Sequence, residues 1–192
     1  MSAYHALLGS VSFHRALGAL DEQLAREVQP GGCSCGGTLH HADYPRKPRG
    51  VPAHVRHCHD RRISLCCDQD GCRRRRTPAS VRFLGRRVYL FAVVLLASVL
   101  NHGVTQRRLA QLKGVLDISE GTLDRWRRWW QRAFPLTAVW RDLRGRFVPT
   151  VATKTLPYAL LERSLITDVG QRVLRLLQVL SPLSVGTSRG LC

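Results

Sequence analysis

The sequence predicts a mostly α-helical chain interrupted by one small β segment, and three observations carry that prediction. Apolar residues recur every three or four positions on both sides of a central stretch. The stretch itself, residues 31–80, loses that period and is dominated by Gly, Pro, His, Cys and Arg. Six of the seven cysteines lie inside it. The expected order is an N-terminal amphipathic helix (1–30), the cysteine-rich β segment (31–80), a helical domain (81–144), a linker (145–157), a C-terminal helical pair (158–182) and a frayed tail (183–192).

The N-terminal helix follows from Phe13, Leu17, Leu20, Leu24 and Val28, with Glu22, Gln23 and Arg26 between them. Pro30-Gly31-Gly32 ends it, because proline lacks the amide hydrogen and glycine resists helical order. From Val81 onward four blocks regain helical period: 84–102, 105–116, 119–134, and the pair Tyr158 to Ile166 with Val169 to Leu180. The most apolar of these, Val88 to Leu100, spans 13 residues. At about 1.5 Å per residue it rises about 20 Å, against a hydrocarbon core of about 30 Å, so it reads as a buried helix and not a membrane span. The N-terminus, MSAYHALLGSVSFHRALG, has no basic start followed by a long apolar run, so no secretory signal is expected and the chain is placed in the cytoplasm.

With 30 Lys+Arg against 13 Asp+Glu, the formal net charge is +17. Such a surface repels itself unless an anionic partner is near. Only three of the basic residues are lysines; the planar arginine fork suits phosphate and guanine, which favours nucleic acid over an acidic membrane surface.

In the reducing cytosol the cysteines point to metal ligation instead of disulfides. Cys33 and Cys35 stand in CSCGG, and Cys66, Cys67 and Cys72 stand in SLCCDQDGCRRR, about thirty residues on, a spacing close to that of a zinc ribbon. Hydrophobic residues here are too few to build a core, so a structural Zn2+ would replace one; apparent binding energies of roughly 10 to 16 kcal/mol suffice to order such a segment. The expected ligands are Cys33, Cys35, Cys67 and Cys72, with Cys66 as the alternative to Cys67. In a strand ending ISLCC, Ile63, Leu65 and Cys67 share a face, which favours Cys67. His40, His41, His57 and His59, with Cys58, are possible substitute ligands between the two groups.

Arginines flank the proposed metal site on both sides. DYPRKPRG supplies Arg46, Lys47 and Arg49, held extended by Pro45 and Pro48, and CRRRR supplies Arg73, Arg74, Arg75 and Arg76. These are expected to meet backbone phosphates, giving salt-sensitive affinity with little sequence information.

A helix-turn-helix-like unit is expected from Val104. Thr105 caps a first helix that turns Leu109, Ala110 and Leu112 inward, and Gly114 relaxes the chain. Ser119 caps a second helix with Leu123, Trp126 and Trp130 on one face and Thr122, Arg125, Arg128 and Trp129 pointing largely elsewhere. Glu120, Gly121, Thr122 and Arg125 would approach base edges, with Arg127, Arg128 and Arg132 near phosphates. The spacing from Ala110 to Leu123 is about three residues longer than the tight turn of this motif uses.

CSCGG, ADYPRKPRG, SLCCDQDGCRRRRTPASVRFLGRRVYL and TLDRWRRWW, with LPYALLERSLI and RVLRLLQVLSPL nearer the end, resemble a group of small bacterial proteins associated with insertion sequences, and are similar to transposase DNA-binding regions. The resemblance covers roughly residues 30–182. It implies zinc ligation by Cys33, Cys35, Cys67 or Cys66, and Cys72, and double-stranded DNA binding around Thr122 to Arg132. It also implies an accessory or remnant role in a mobile element, at the nucleoid, as a homo-oligomer or beside a transposase.

No catalytic constellation is expected. A recombinase needs about three carboxylates on one scaffold to hold two metals; Asp117, Glu120 and Asp124 are crowded into one helical pair, and beyond residue 145 only Glu162 and Asp168 remain. Two other readings stay open: an RNA-binding or protein-interaction zinc module, and a metal-dependent nuclease or recombinase, the nuclease using His57, His59 and Asp60.

Overall fold

The computed structural model describes residues 3–48, 50–84, 94, 119–147 and 149–186. The expected buried helix at Val88 to Leu100 and the first helix of the helix-turn-helix-like unit, with Thr105, Leu109, Ala110, Leu112 and Gly114, lie outside these residues, as does Arg49.

Helices account for most of the described chain, with a small antiparallel sheet between them. The N-terminal segment forms two helices, α1 (Ala3–Gly9) and α2 (Val11–Val28), where one was expected. Ser10 divides them: its backbone is extended and its Oγ accepts from the Phe13 amide at 3.3 Å, capping α2. The buried face of α2 carries Phe13, His14, Leu17, Asp21 and Ala25, while Leu20 and Leu24 of the expected stripe are half-buried at its edge. A polar pair thus occupies part of what the apolar period marks as core. Gln29–Gly31 tightens into a 3-10 turn, and Gly32 leaves it at φ +59°.

The cysteine-rich stretch folds into two small sheets. β1 (Leu39–His41), β4 (Leu65–Cys67) and β5 (Arg75–Arg76) pair antiparallel in the order β1-β4-β5, with Leu39 opposite Cys67 and Cys66 opposite Arg75. β2 (Tyr44–Pro45) and β3 (Arg61–Arg62) form a separate two-stranded ribbon. Between them Ala53–His59 is a 3-10 helix packed against α2. Around the three-stranded sheet Leu39, Leu65 and Cys67 form a small buried apolar cluster, flanked by half-buried Val28, Cys33 and Cys72. Three residues cannot by themselves hold strands of two and three residues.

The larger core lies among the helices. α3 (Glu120–Arg128) runs into a π turn at Trp129–Ala133 and a 3-10 turn at Phe134–Leu136, followed by α4 (Ala138–Arg144). Pro135 has no amide hydrogen to continue the ladder, and the widened turn just before it rotates the following side chains relative to a regular helix. One expectation is corrected at this turn: Trp129 points inward, edge-on to Trp130 (centroids 5.0 Å apart) and tilted against Phe134 (5.7 Å), while Trp140 closes on Phe134 from α4.

In the segment 145–157 Leu156 is buried and Phe147 and Val151 lie half-buried against the core. α5 (Tyr158–Glu162) and α6 (Val169–Leu180) follow, α6 capped by Asp168, whose Oδ1 accepts from the Gln171 amide at 2.7 Å. α6 packs against α1, α2 and α5, so the two ends of the chain meet in one core. Leu183–Gly186 forms a short helix, α7, in which Leu183 is buried and Ser184 Oγ accepts from the Ser80 amide at 2.8 Å; residues 187–192 of the tail expected to fray lie outside the described residues. Among the described residues no helix is long and apolar enough to cross a membrane.

Candidate metal centre

Four thiols converge where the chain has least apolar material. The Sγ atoms of Cys33, Cys35, Cys67 and Cys72 all lie within 4.8 Å of one another. The Cys33 to Cys72 separation is 3.7 Å and the Cys35 to Cys67 separation 3.4 Å. Four thiolates at about 2.3 Å around a tetrahedral ion stand about 3.8 Å apart, so the group has the dimensions of a metal site.

Two tight turns produce the convergence. In the first, the Gly36 amide donates to the Cys33 carbonyl and the Cys33 amide to the Gly37 carbonyl, both at 2.9 Å, and Gly36 sits at φ +86°. In the second, Cys72 and Arg73 both donate to the Gln69 carbonyl, at 2.9 and 3.0 Å, and Arg73 adopts φ 45°. β1 and β4 then bring the turns together, with the Asp68 amide donating to the Thr38 carbonyl and the Thr38 amide to Asp68 Oδ1. Gly37 is where they touch: a Cβ there would stand 2.6 Å from Cys67 Sγ and 2.7 Å from Asp68 Oδ1, closer than real Cβ contacts come.

The thiols share charge unequally. The Cys35 amide, aided by the Cys35, Cys72 and Cys67 thiols, draws Cys33 down to about 6 against the opposing effect of burial. At Cys67 the Gln69 amide pulls the other way, but burial and the neighbouring thiols outweigh it and push the group up to about 12. Cys72 is also raised: the Arg74 amide lowers it, and Cys35 and Cys33 overcome that. Four mutually close thiols therefore resist joint ionisation, and a divalent cation is the partner that lets all four become thiolates.

The other expected ligand types lie elsewhere. Cys66, next in sequence, turns its sulfur to the Arg73 and Cys67 carbonyls at 3.5 and 3.6 Å. Cys58 contacts His57. His40 and His41 are exposed beside Asp68 and Asp43. His59 is fully buried against His14 of α2, whereas His57 and Asp60 are exposed.

The basic residues divide into two kinds. Lys47, Arg73, Arg74, Arg75 and Arg76 are exposed, and four of them follow Cys72 directly. Arg73 pairs with Asp70, Arg74 donates to Ser34 Oγ at 2.7 Å and Arg75 to the Ala42 carbonyl at 2.9 Å, which anchors these side chains to the cysteine turns. Arg46 is half-buried with its guanidinium over the Phe83 ring, 5.3 Å from the centroid. On α3, Arg125, Arg127 and Arg128, and Arg132 beyond it, are exposed. Ser119 stands at the expected N-cap, but its hydroxyl bonds Thr122 Oγ1 and not the backbone, and Arg125 donates to the same oxygen at 3.0 Å. Thr122 is therefore engaged within α3.

One buried network was not anticipated. Asp21 accepts from Ser80 Oγ (2.6 Å), the Val81 amide (2.7 Å) and Arg82 Nε (2.7 Å), tying α2 to the chain beyond the second cysteine group. Its trace in the sequence is an acidic residue four positions after Leu17, on the buried face of α2.

The chain matches no family model, no curated protein and no solved structure.

Proposed function

We propose that the protein is a zinc-dependent double-stranded DNA-binding protein, related in role to the DNA-recognition regions of transposases and working at the bacterial nucleoid. The observation that carries this reading is the coupling of the four-thiol group to an exposed arginine run: Cys72 closes the group, and Arg73 to Arg76 leave it as the next four residues. Zinc suits four sulfur donors at this spacing because it accepts tetrahedral thiolate ligation without redox change. Held there, the ion orders the β4-β5 hairpin and presents its arginines to a polyanion. Phosphate contact by such a run supplies affinity that falls steeply with salt. The exposed arginines of α3 add a second basic surface, for which the resemblance to transposase regions supports a role in reading base edges.

The test uses the zinc-loaded full chain. One zinc per chain, tighter binding to duplex DNA than to single-stranded RNA at fixed salt, and loss of DNA binding on chelation are the expected results. Equal affinity for the RNA favours a general nucleic-acid module and overturns duplex recognition; metal-free protein that binds as well overturns the zinc requirement.

A further inference from the structure

The four-thiol group contains two pairs that face each other across the two cysteine turns. Cys35 Sγ lies 3.4 Å from Cys67 Sγ, and Cys33 Sγ lies 3.7 Å from Cys72 Sγ. A disulfide is about 2.05 Å long, so each pair has to close by only about 1.5 Å. The four are free cysteines with graded access: Cys35 is exposed, Cys33 and Cys72 are half-buried and Cys67 is buried. Cys35 thus offers a sulfur to solvent with a partner sulfur directly behind it. The turns are also joined by bonds that do not involve sulfur. Leu39 stands opposite Cys67 in the β1-β4 ladder, the Asp68 amide donates to the Thr38 carbonyl, and the Thr38 amide donates to Asp68 Oδ1. The other two cysteines of the stretch stand apart, Cys66 turned to the Arg73 and Cys67 carbonyls and Cys58 to His57 Nε2.

We infer that the four sulfurs form a thiol–disulfide switch thrown by a peroxide, which closes Cys35 on Cys67 and Cys33 on Cys72; it rests on the metal binding proposed above and names how that site is regulated. The exposed Cys35 thiolate attacks the peroxide and the O–O bond breaks. One oxygen stays on sulfur as a sulfenic acid, and the other leaves with a solvent proton as water. The Cys67 thiolate then attacks that sulfur: the S–S bond forms, the S–O bond breaks, and the second oxygen leaves as water in the same way. Cys33 and Cys72 follow the same course. Each disulfide consumes one hydrogen peroxide and two protons, and its sulfurs give up two electrons to the peroxide. Closure of both pairs leaves no thiolate in the group to ligate a metal. Both new bonds join the 33–37 turn to the 67–72 turn, which is the join a bound ion makes. The β1-β4-β5 sheet is therefore kept on oxidation and lost on chelation, and exchange with a reducing thiol reopens both pairs.

Hydrogen peroxide is the probe, added to the zinc-loaded full chain beside a chromophoric chelator too weak to strip the reduced protein. Release of the zinc is expected as about two peroxides are consumed per chain. Tandem mass spectrometry that cleaves between Cys33 and Cys35 and between Cys67 and Cys72 should find the two cross-turn links, with Cys58 and Cys66 still open to alkylation. A strong chelator should abolish amide-exchange protection over residues 33–76 in the reduced protein and leave it in the oxidised protein. In Cys35→Ser, Cys33 and Cys72 should still close while Cys67 stays open to alkylation. Zinc retained with all thiols reduced overturns the switch, as do links within one turn, links to Cys58 or Cys66, or an oxidised protein that loses protection with the chelator. A chain that takes up no zinc yet closes the same two links overturns the metal reading alone and supports the pairing.

Discussion

His14 Nδ1 lies 2.8 Å from His59 Nε2, and His14 Nε2 lies 2.8 Å from the Leu8 carbonyl, with both rings fully buried. A carbonyl oxygen only accepts, so His14 carries a proton on Nε2; in neutral His14 Nδ1 is then bare and His59 Nε2–H is the donor between the rings. The pair joins α2 to the 3-10 helix of the cysteine-rich stretch, and the bond between the rings is lost once both are protonated, since neither then has an acceptor nitrogen.

Acid should therefore loosen this junction. Burial lowers His14, with His54 and His57 adding repulsion against the opposing Leu8 carbonyl, and burial with His14, Arg82 and His57 takes His59 to about 3. In the unfolded chain both titrate near 6.5. The unfolded state then binds more protons below that value, so stability from these groups is complete above about 6.5 and falls with pH down to about 3. Urea denaturation from pH 7.5 to 5.5 should show this decline in the wild type and a shallower one in His14→Gln. Parallel curves would remove the histidine pair as the cause.

Asp21→Asn should cost about 3 to 5 kcal/mol, because it leaves Arg82 buried without its counter-charge. Chemical denaturation of the zinc-loaded protein measures it. A loss under about 1 kcal/mol, the range of exposed pairs, is incompatible with the network described.

Cys67→Ser should abolish stoichiometric zinc, since its sulfur is inside the four-thiol group, while Cys66→Ser should retain it. Metal quantified per chain after dialysis distinguishes them. Retention by both variants would show that the ion, if bound, uses another ligand set.

Gly37→Ala places a methyl 2.6 Å from Cys67 Sγ, and a sulfur fixed by a metal cannot retreat. An overpacking cost of about 1 to 3 kcal/mol should appear as zinc affinity reduced roughly tenfold or more. Competition with a chromophoric chelator reads this directly, and an unchanged affinity would mean that the turns are looser than the structure has them.

The two basic surfaces should separate by function. Arg74→Ala, anchored at Ser34 beside the thiols, should weaken all duplexes alike and reduce the salt slope by about one; Arg125→Ala on α3 should flatten discrimination between sites. Indistinguishable binding profiles from random duplex pools would refute this division of labour.

Much of this was legible in the chain itself. The stop at Pro30 and the loss of helical period between 31 and 80 are local features, and local propensity reports them. The favoured ligand Cys67 follows from strand alternation, and the same alternation appears in β4, where Leu65 and Cys67 are buried and Cys66 is not. Trp129 escaped that logic because a π turn changes the period at the residue itself.

The sequence by itself determined that most of the chain is helical, that its middle loses the apolar period, and which cysteines stand together there, since all three depend on neighbours along the chain. Only the tertiary structure decided that Asp21 is buried with Arg82, that His14 meets His59 and that Arg46, Arg62 and Arg82 surround Phe83. Each of these joins residues far apart in sequence, and a polar side chain on a helix or loop is solvated or buried according to what the rest of the fold brings against it.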